Sequence, residues 1–286
     1  MSANYNPFAT NTSTSSTIEA MSGTVSVSLA GAVPLNKTTS GTVILSGANT
    51  YTGATSVKAG ALIVNGSLSS SSTITIGDSA NLTTAAVLAA NTLGNSTNVG
   101  PIVLGAAAGN TGAKLSPGNG NNGIGGAGAL GALLTVNGNL TITSGSGAHL
   151  QLAVGRTSAG TDTNDVSDRV TVTGSISLAG DLDISLLGAT GYSLAQGDEL
   201  YLIVNNGSSA ISGTFDTVNG LGSGIAQDSV FSVGSTVFQI SYTASATGGA
   251  FDGGGNSVAL LVVPEPNSLA LLAGAGVLSL LRRRRR

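Results

Sequence analysis

A chain of 286 residues with 8% charged and 3% aromatic residues, no Trp and no Cys departs far from an ordinary soluble domain, where charge runs to roughly 25%. The lack of Cys excludes disulfides, thiolate metal sites and a Cys nucleophile. Five of the ten basic residues are the terminal Arg282 to Arg286, so the body is acidic, which argues against nucleic acid as a partner.

The opening stretch MSANYNPFATNTSTSST has neither a basic n-region nor an apolar h-region, so it is no secretory signal peptide and reads as a loop. Residues 1–39 are taken as a partial N-terminal β region or loop. Strand patterns then follow almost without interruption: TVILSG, ALIVNG, STITIG, PIVLG, LLTVNGNLTIT, HLQLAV, RVTVTGSISL, DLDISLL, ELYLIV, VFQISYT and VALLVV. Many alternate with period two, and Gly and Asn-Gly supply the turns between them. Residues 40–113 read as stacked rungs, 114–130 as a Gly/Asn-rich loop and 131–262 as a further β-rich region. Before residue 268 the nearest approach to a helix is Leu82–Gly94, LTTAAVLAANTLG, which is Ala-rich but weakly periodic.

A sandwich normally packs large aromatic residues at its centre, whereas small β-branched side chains suit a thin core stacked from turn to turn, as in a parallel β-helix. The expected fold class is therefore all-β, a parallel β-helix or solenoid. Three segments read strand, Gly turn, strand, but their spacing is uneven and gives no strict period. Asn residues at the turns are expected to stack in ladders.

Within SGTVILSGANTYTGATSVKAGALIVNGSL (Ser40–Leu68), the residues Gly41, Thr42, Leu45, Ser46, Gly47, Asn49, Tyr51, Gly53, Thr55, Ala59, Gly60, Leu62, Asn65 and Gly66 form a pattern that resembles the autotransporter-associated β-strand repeat. More weakly, residues 114–219 are similar to the regions that follow this repeat. The resemblance implies a right-handed parallel β-helix on a surface-exposed chain and a structural unit without catalysis. The aromatic content is too low for a membrane barrel of the autotransporter type.

The last residues, 263–286, combine three features. Val263, Pro264, Glu265 and Pro266 are followed by a 14-residue apolar run, Ser268 to Leu281, and then by the basic stop Arg282, Arg283, Arg284, Arg285 and Arg286. Ser268, Leu269, Leu271, Leu272, Val277, Leu278, Leu280 and Leu281 belong to the run, which is expected to form a short transmembrane helix. Spanning a bilayer takes about 20 residues, so the run is short for a permanent anchor. The prolines isolate it from upstream structure, and the arginines would hold its end on the cytoplasmic side. The order motif, apolar run, Arg cluster resembles the PEP-CTERM sorting signal of Gram-negative bacteria. That resemblance implies a partner, a membrane-embedded, transpeptidase-like exosortase that removes the tail, and hosts that make extracellular polysaccharide, a candidate ligand. A plain tail anchor is the rival reading. Because a sorting tail acts only after export, the precursor is expected to be longer, with Met1 inside the mature β region.

Chemistry-bearing residues are sparse. Asp162, Asn164, Asp165 and Asp168 cluster in TDTNDVSDR, but the spacing fails the EF-hand pattern. An irregular calcium site stays open beside the simpler reading, a solvated turn that Asp168 caps before the strand Val170–Thr173. Asp181 and Asp183 share a strand face and could do acid–base work on polysaccharide, or merely coat a polar surface. His149, the sole histidine, alternates with Leu150 and Leu152 and reads as outward on a strand. The glycines of Gly118–Gly131 lack the strand–turn–helix frame of a nucleotide site and read as a loop or linker. No catalytic residue, metal or cofactor is assigned. The expected function is an exported, non-enzymatic surface or matrix protein, adhesin-like, at the cell surface, the outer membrane or the extracellular matrix. A polysaccharide-processing β-helix enzyme and an inactive fragment of a larger passenger are the alternatives.

Overall fold

The computed structural model describes residues 17–68, 72–77, 85–90, 96–105, 112–118, 131–144, 147–156, 167–187, 193–247 and 249–265. A segment with one apolar face must bury it, and here each segment does so against the next turn of the chain. One sheet stacks β1 (Ile18–Glu19), β3 (Leu35–Lys37), β5 (Thr55–Val57), β7 (Ile74–Ile76), β10 (Ile102–Leu104), β13 (Leu140–Ile142), β16 (Ile176–Leu178) and β19 (Ser212–Gly213). A second stacks β2 (Gly23–Val25), β4 (Thr42–Leu45), β6 (Gly60–Val64), β8 (Ala86–Ala90), β11 (Ala113–Ser116), β14 (Ala148–Val154), β17 (Asp181–Leu186) and β20 (Thr217–Val218). Every pairing within these two sheets is parallel. The chain alternates between them, so the architecture is the expected all-β parallel solenoid, and no helix occurs among the described residues.

The third sheet starts later. Its strands β9 (Ser96–Val99), β12 (Leu133–Val136), β15 (Arg169–Val172) and β18 (Glu199–Asn205) are parallel. It then reverses direction through β23 (Ser257–Val263), β22 (Thr236–Ala244) and β21 (Val230–Val233), all paired antiparallel. This meander closes the C-terminal end of the solenoid, as terminal repeats must. Aromatic residues concentrate here. Phe215 lies 6.2 Å from Tyr242, ring centre to ring centre, and Phe231 lies 6.0 Å from Phe238. The buried Tyr242 hydroxyl donates to the Ile225 carbonyl (2.8 Å) and accepts from the Phe215 amide (3.2 Å). Burial pushes its pKa up to about 12.

The core is a set of columns. Val43, Leu62, Leu88, Leu115, Leu150, Leu182 and Val218 stand one above another, none more than 3% exposed. Each such side chain contributes about 1.5–3 kcal/mol by leaving water. In the first sheet Leu35, Thr55, Ile74, Ile102, Leu140 and Ile176 are stacked, at steps of 20, 19, 28, 38 and 36 residues. The strands keep their pattern while the excursions between them lengthen, which explains why the sequence echo shows no fixed period.

The stack decides several segments that the sequence leaves open or reads otherwise. Ala86–Ala90, inside the Ala-rich stretch with weak helical character, is strand β8; its small residues stack on Gly60 to Val64 of β6. Lys114 to Ser116, assigned to the start of the Gly/Asn-rich loop, complete β11. Lys37 enters an inward column whose later members are Val57, Ile76, Leu104 and Ile142. Its ammonium donates to the carbonyls of Thr39 and Ala59 and to the Thr39 hydroxyl at the rim of the rung, and burial lowers its pKa.

Candidate functional site

Three groups of residues could carry function, and each takes its geometry from the stack. The first is the repeat motif. Gly41 immediately precedes β4, Leu45 ends it, Ser46 and Gly47 follow it, and Gly60 and Leu62 begin β6. The early turns lack a third strand, and Asn49 performs the joining there. Its Oδ1 accepts the Leu29 amide (3.0 Å), while its Nδ2 donates to the carbonyls of Gly47 (2.8 Å) and Ser67 (3.1 Å). One buried side chain thus ties three successive turns. Tyr51 is fully buried, with its hydroxyl 2.6 Å from the Thr55 hydroxyl, and burial raises its pKa to about 12. Gly60 has φ of +68° and lies against the backbone of Gly41, a position that a side chain would block. Leu45 and Leu62 are core residues. Every motif residue accounted for in this way serves packing.

The expected Asn ladder is replaced by another arrangement. Asn49, Asn139 and Asn219 bond the backbone of a neighbouring turn rather than another Asn, because a backbone amide without a sheet partner must still be satisfied. The Asn65 side-chain oxygen is buried without a hydrogen bond.

The second group is a polar row on the outer face of the second sheet. In register, Lys114 pairs with His149, His149 with Asp181, Gln151 with Asp183, and Asp181 with Thr217. Asp181 and Asp183 do share a face, and the register brings the sole histidine to them. His149 Nδ1 lies 3.1 Å from Asp183 and 3.8 Å from Asp181. Nδ1 has no partner in aligned hydrogen-bond geometry, so the approach is a charge contact, an ion pair when the imidazole is protonated. Gln151 donates to Asp183 (3.1 Å) and Thr217 to Asp181 (2.6 Å). The neighbouring Asp183 carboxylate raises the His149 pKa, outweighing burial and the Lys114 charge. Burial would raise Asp183, but His149, Gln151 and Lys114 together outweigh it and hold its pKa below the usual carboxylate value. Such a carboxylate stays ionised. It offers a base or a cation contact, and it is poorly suited to the protonated acid that glycoside hydrolysis requires.

Asp168 is not solvated, contrary to its sequence reading. It is 2% exposed, and its two oxygens accept the amides of Ala132 (2.8 Å) and Ala153 (3.0 Å). Both oxygens are spent on the backbone, so Asp168 does cap, but inwardly. Burial raises its pKa to about 6 against the pull of those amides. Asp162 and Asp165 lie outside the described residues, as do residues 119–130 of the glycine-rich loop. Sequence reading missed the buried pair Arg156–Asp198, 3.1 Å apart and 2% exposed each. It ties the end of β14 to the entry of β18, and removing one partner would strand a buried charge at a cost of about 3–5 kcal/mol. Neither residue stands in a distinctive motif; only the turn spacing brings them together.

The third group is the chain's exit from the fold. Val263 is the last residue of β23 and is paired with Val237. Pro264 is half-buried and Glu265 exposed. Pro266, the apolar run with Ser268, Leu269, Leu271, Leu272, Val277, Leu278, Leu280 and Leu281, and Arg282 to Arg286 lie outside the described residues. Among the described residues no helix is long and apolar enough to cross a membrane.

Two family matches correspond to the first and third groups. Residues 35–64, which run from β3 through β6, match the passenger-associated-transport-repeat. Residues 262–286 match the PEP-CTERM protein-sorting motif. No curated protein matches the chain. The sorting motif marks the chain for export and cell-surface sorting in a Gram-negative bacterium, with processing by an exosortase, a membrane enzyme. The repeat gives the body a passenger-like character.

Proposed function

We propose that the mature protein is a non-catalytic, adhesin-like β-helix of the cell surface, the outer membrane or the extracellular matrix, displayed once its membrane-inserted tail has been processed. The observation that carries this reading is the junction at Val263. There a closed β solenoid passes directly into the sorting motif, so the molecule consists of a stiff body and a handle. The outward column Asn36, Ser56, Thr75, Thr141, Ser177 and Ser212, interrupted by Val103, supplies repeated hydrogen-bonding groups along the first sheet. Weak contacts of this kind, repeated at each turn, suit an extracellular polysaccharide.

The test is a mass spectrum of the C-terminal peptide of protein recovered from its native host. A chain ending near Pro264 to Pro266 is expected. An intact Arg286 on membrane-bound protein would replace the reading with a tail anchor. The polar row at His149, Asp181 and Asp183 favours a second reading, a polysaccharide-processing enzyme. That reading requires turnover of acidic or neutral polysaccharide by the purified protein, lost in Asp183→Asn. The expected result is no turnover by either form.

A further inference from the structure

The sorting match begins at Val262, whereas β23 runs to Val263. The last two residues of the strand and the first two of the motif are therefore the same residues. They are held on both flanks. On one side the Val262 amide donates to the Asp198 carbonyl (2.9 Å), and its carbonyl accepts the Gly197 amide (2.9 Å). On the other side Val262 is in register with Phe238 and Val263 with Val237 of β22. The Val262 side chain is buried. The first exposed residue of the motif is Glu265, one residue beyond the half-buried Pro264.

Four residues, 264 to 267, separate the strand from the apolar run at Ser268. Fully extended, they reach about 14 Å. With the run in a bilayer, the closed cap would stand against the membrane surface, leaving little chain for an enzyme to grip. An enzyme that binds its substrate as an extended strand needs free backbone amides and carbonyls on the residues flanking the motif. Those of Val262 are already taken, and the strand has a partner on each side.

We infer that the sorting enzyme gains full hold of its motif only while the end of β23 is unzipped, so that closure of the C-terminal cap and processing of the tail compete for the same residues. This rests on reading the tail as a sorting signal. Terminal strand residues open locally at far lower cost than the whole fold, so a folded chain is processed slowly and a chain whose cap has yet to close is processed fast. The competition sets an order of events, with the tail removed before or during closure of the cap. Cleavage after the strand then leaves β23 complete, and the mature body loses none of its pairing.

The experiment uses the full chain and membranes of the native host, with a peptide of residues 262–286 as a control for enzyme activity. The chain has no Cys, so Val237→Cys with Val263→Cys provides one possible disulfide between directly opposed antiparallel neighbours, at a separation that suits the bond. The oxidised protein is expected to be cut at least tenfold more slowly than the same protein after reduction. An insertion between Val263 and Pro264 of six Gly-Ser residues followed by a second Val-Val, which presents a complete copy of the motif outside the strand without touching the cap, is expected to be cut several-fold faster than the unmodified chain. Equal rates for the oxidised, reduced and inserted proteins, with the peptide cut normally, would overturn the inference and leave the sorting reading intact. Failure of the membranes to cut the peptide would instead sink the sorting reading and this inference with it.

Discussion

At the scale of single residues, the pH response follows from Asp168, His149 and Asp183. Asp168 has a folded pKa of about 6 against an ordinary 3.8, so the native state binds the proton more tightly than the unfolded chain. Its contribution is fully present below pH 3.8 and is lost as pH rises through about 6, a swing of about 3 kcal/mol. His149 is also raised, so its contribution holds below its unfolded pKa of 6.5 and fades as pH rises through the folded value. Asp183 is lowered and acts oppositely, but only as pH falls below its ordinary 3.8. Between pH 5 and pH 8 Asp168 and His149 both favour the lower pH while Asp183 favours neither, so the melting temperature is expected to be higher at pH 5 than at pH 8. In Asp168→Asn the difference should shrink, at an overall cost of about 1–3 kcal/mol for one unsatisfied backbone amide. A wild-type melting temperature that rises from pH 5 to pH 8 would refute the assignment. The shared face of Asp181 and Asp183 was legible from their spacing of two. The burial of Asp168 and the approach of His149 were not, because the partners lie 15 to 36 residues away and depend on how long each turn is.

At the scale of elements, the strands were legible because alternation of apolar and polar residues is a local property. Their pairing was not. Period-two alternation is identical for parallel and antiparallel neighbours, so nothing in ELYLIV, VFQISYT or VALLVV announced that the third sheet reverses at β18 and β23. The clustering of Phe215, Phe231, Phe238 and Phe251 near the C-terminal end was the available hint, since an end that must be closed needs larger side chains than a rung that is covered on both sides. The Ala-rich β8 shows the converse ambiguity. Alanine favours helix, yet Ala86 stacks in register between Gly60 and Ala113 in an inward column, and tertiary stacking overrides the propensity.

At the scale of the whole molecule, the two ends differ. The C-terminal end is sealed by strands of up to nine residues, and Arg156 pairs with Asp198 beneath it. At the other end β1 and β2 have two and three residues, each with one partner strand among the described residues, around an apolar hollow lined by Ile18, Val25, Leu29 and Leu35. Hydrogen exchange should therefore be graded along the axis, with the amides of residues 18–25 exchanging at least a hundredfold faster than those of 199–205. Equal protection at both ends would show that this end, too, is covered in solution.

The sequence by itself determined the strand content, the solenoid class, the one well-formed repeat and the order of motif, apolar run and arginines in the tail. Each of these is written in contiguous residues, and hydrophobic alternation, turn chemistry and charge act there over a few positions. Only the tertiary structure decided which strands are neighbours, where the sheet reverses, that a lone histidine meets two carboxylates, and that the sorting motif begins inside a paired strand. Those outcomes depend on the lengths of the turns between strands. Loop closure costs only slowly more as a loop grows, so a solenoid accepts steps of 19 or 38 residues alike, and local pattern cannot reveal which residues the stack will bring together.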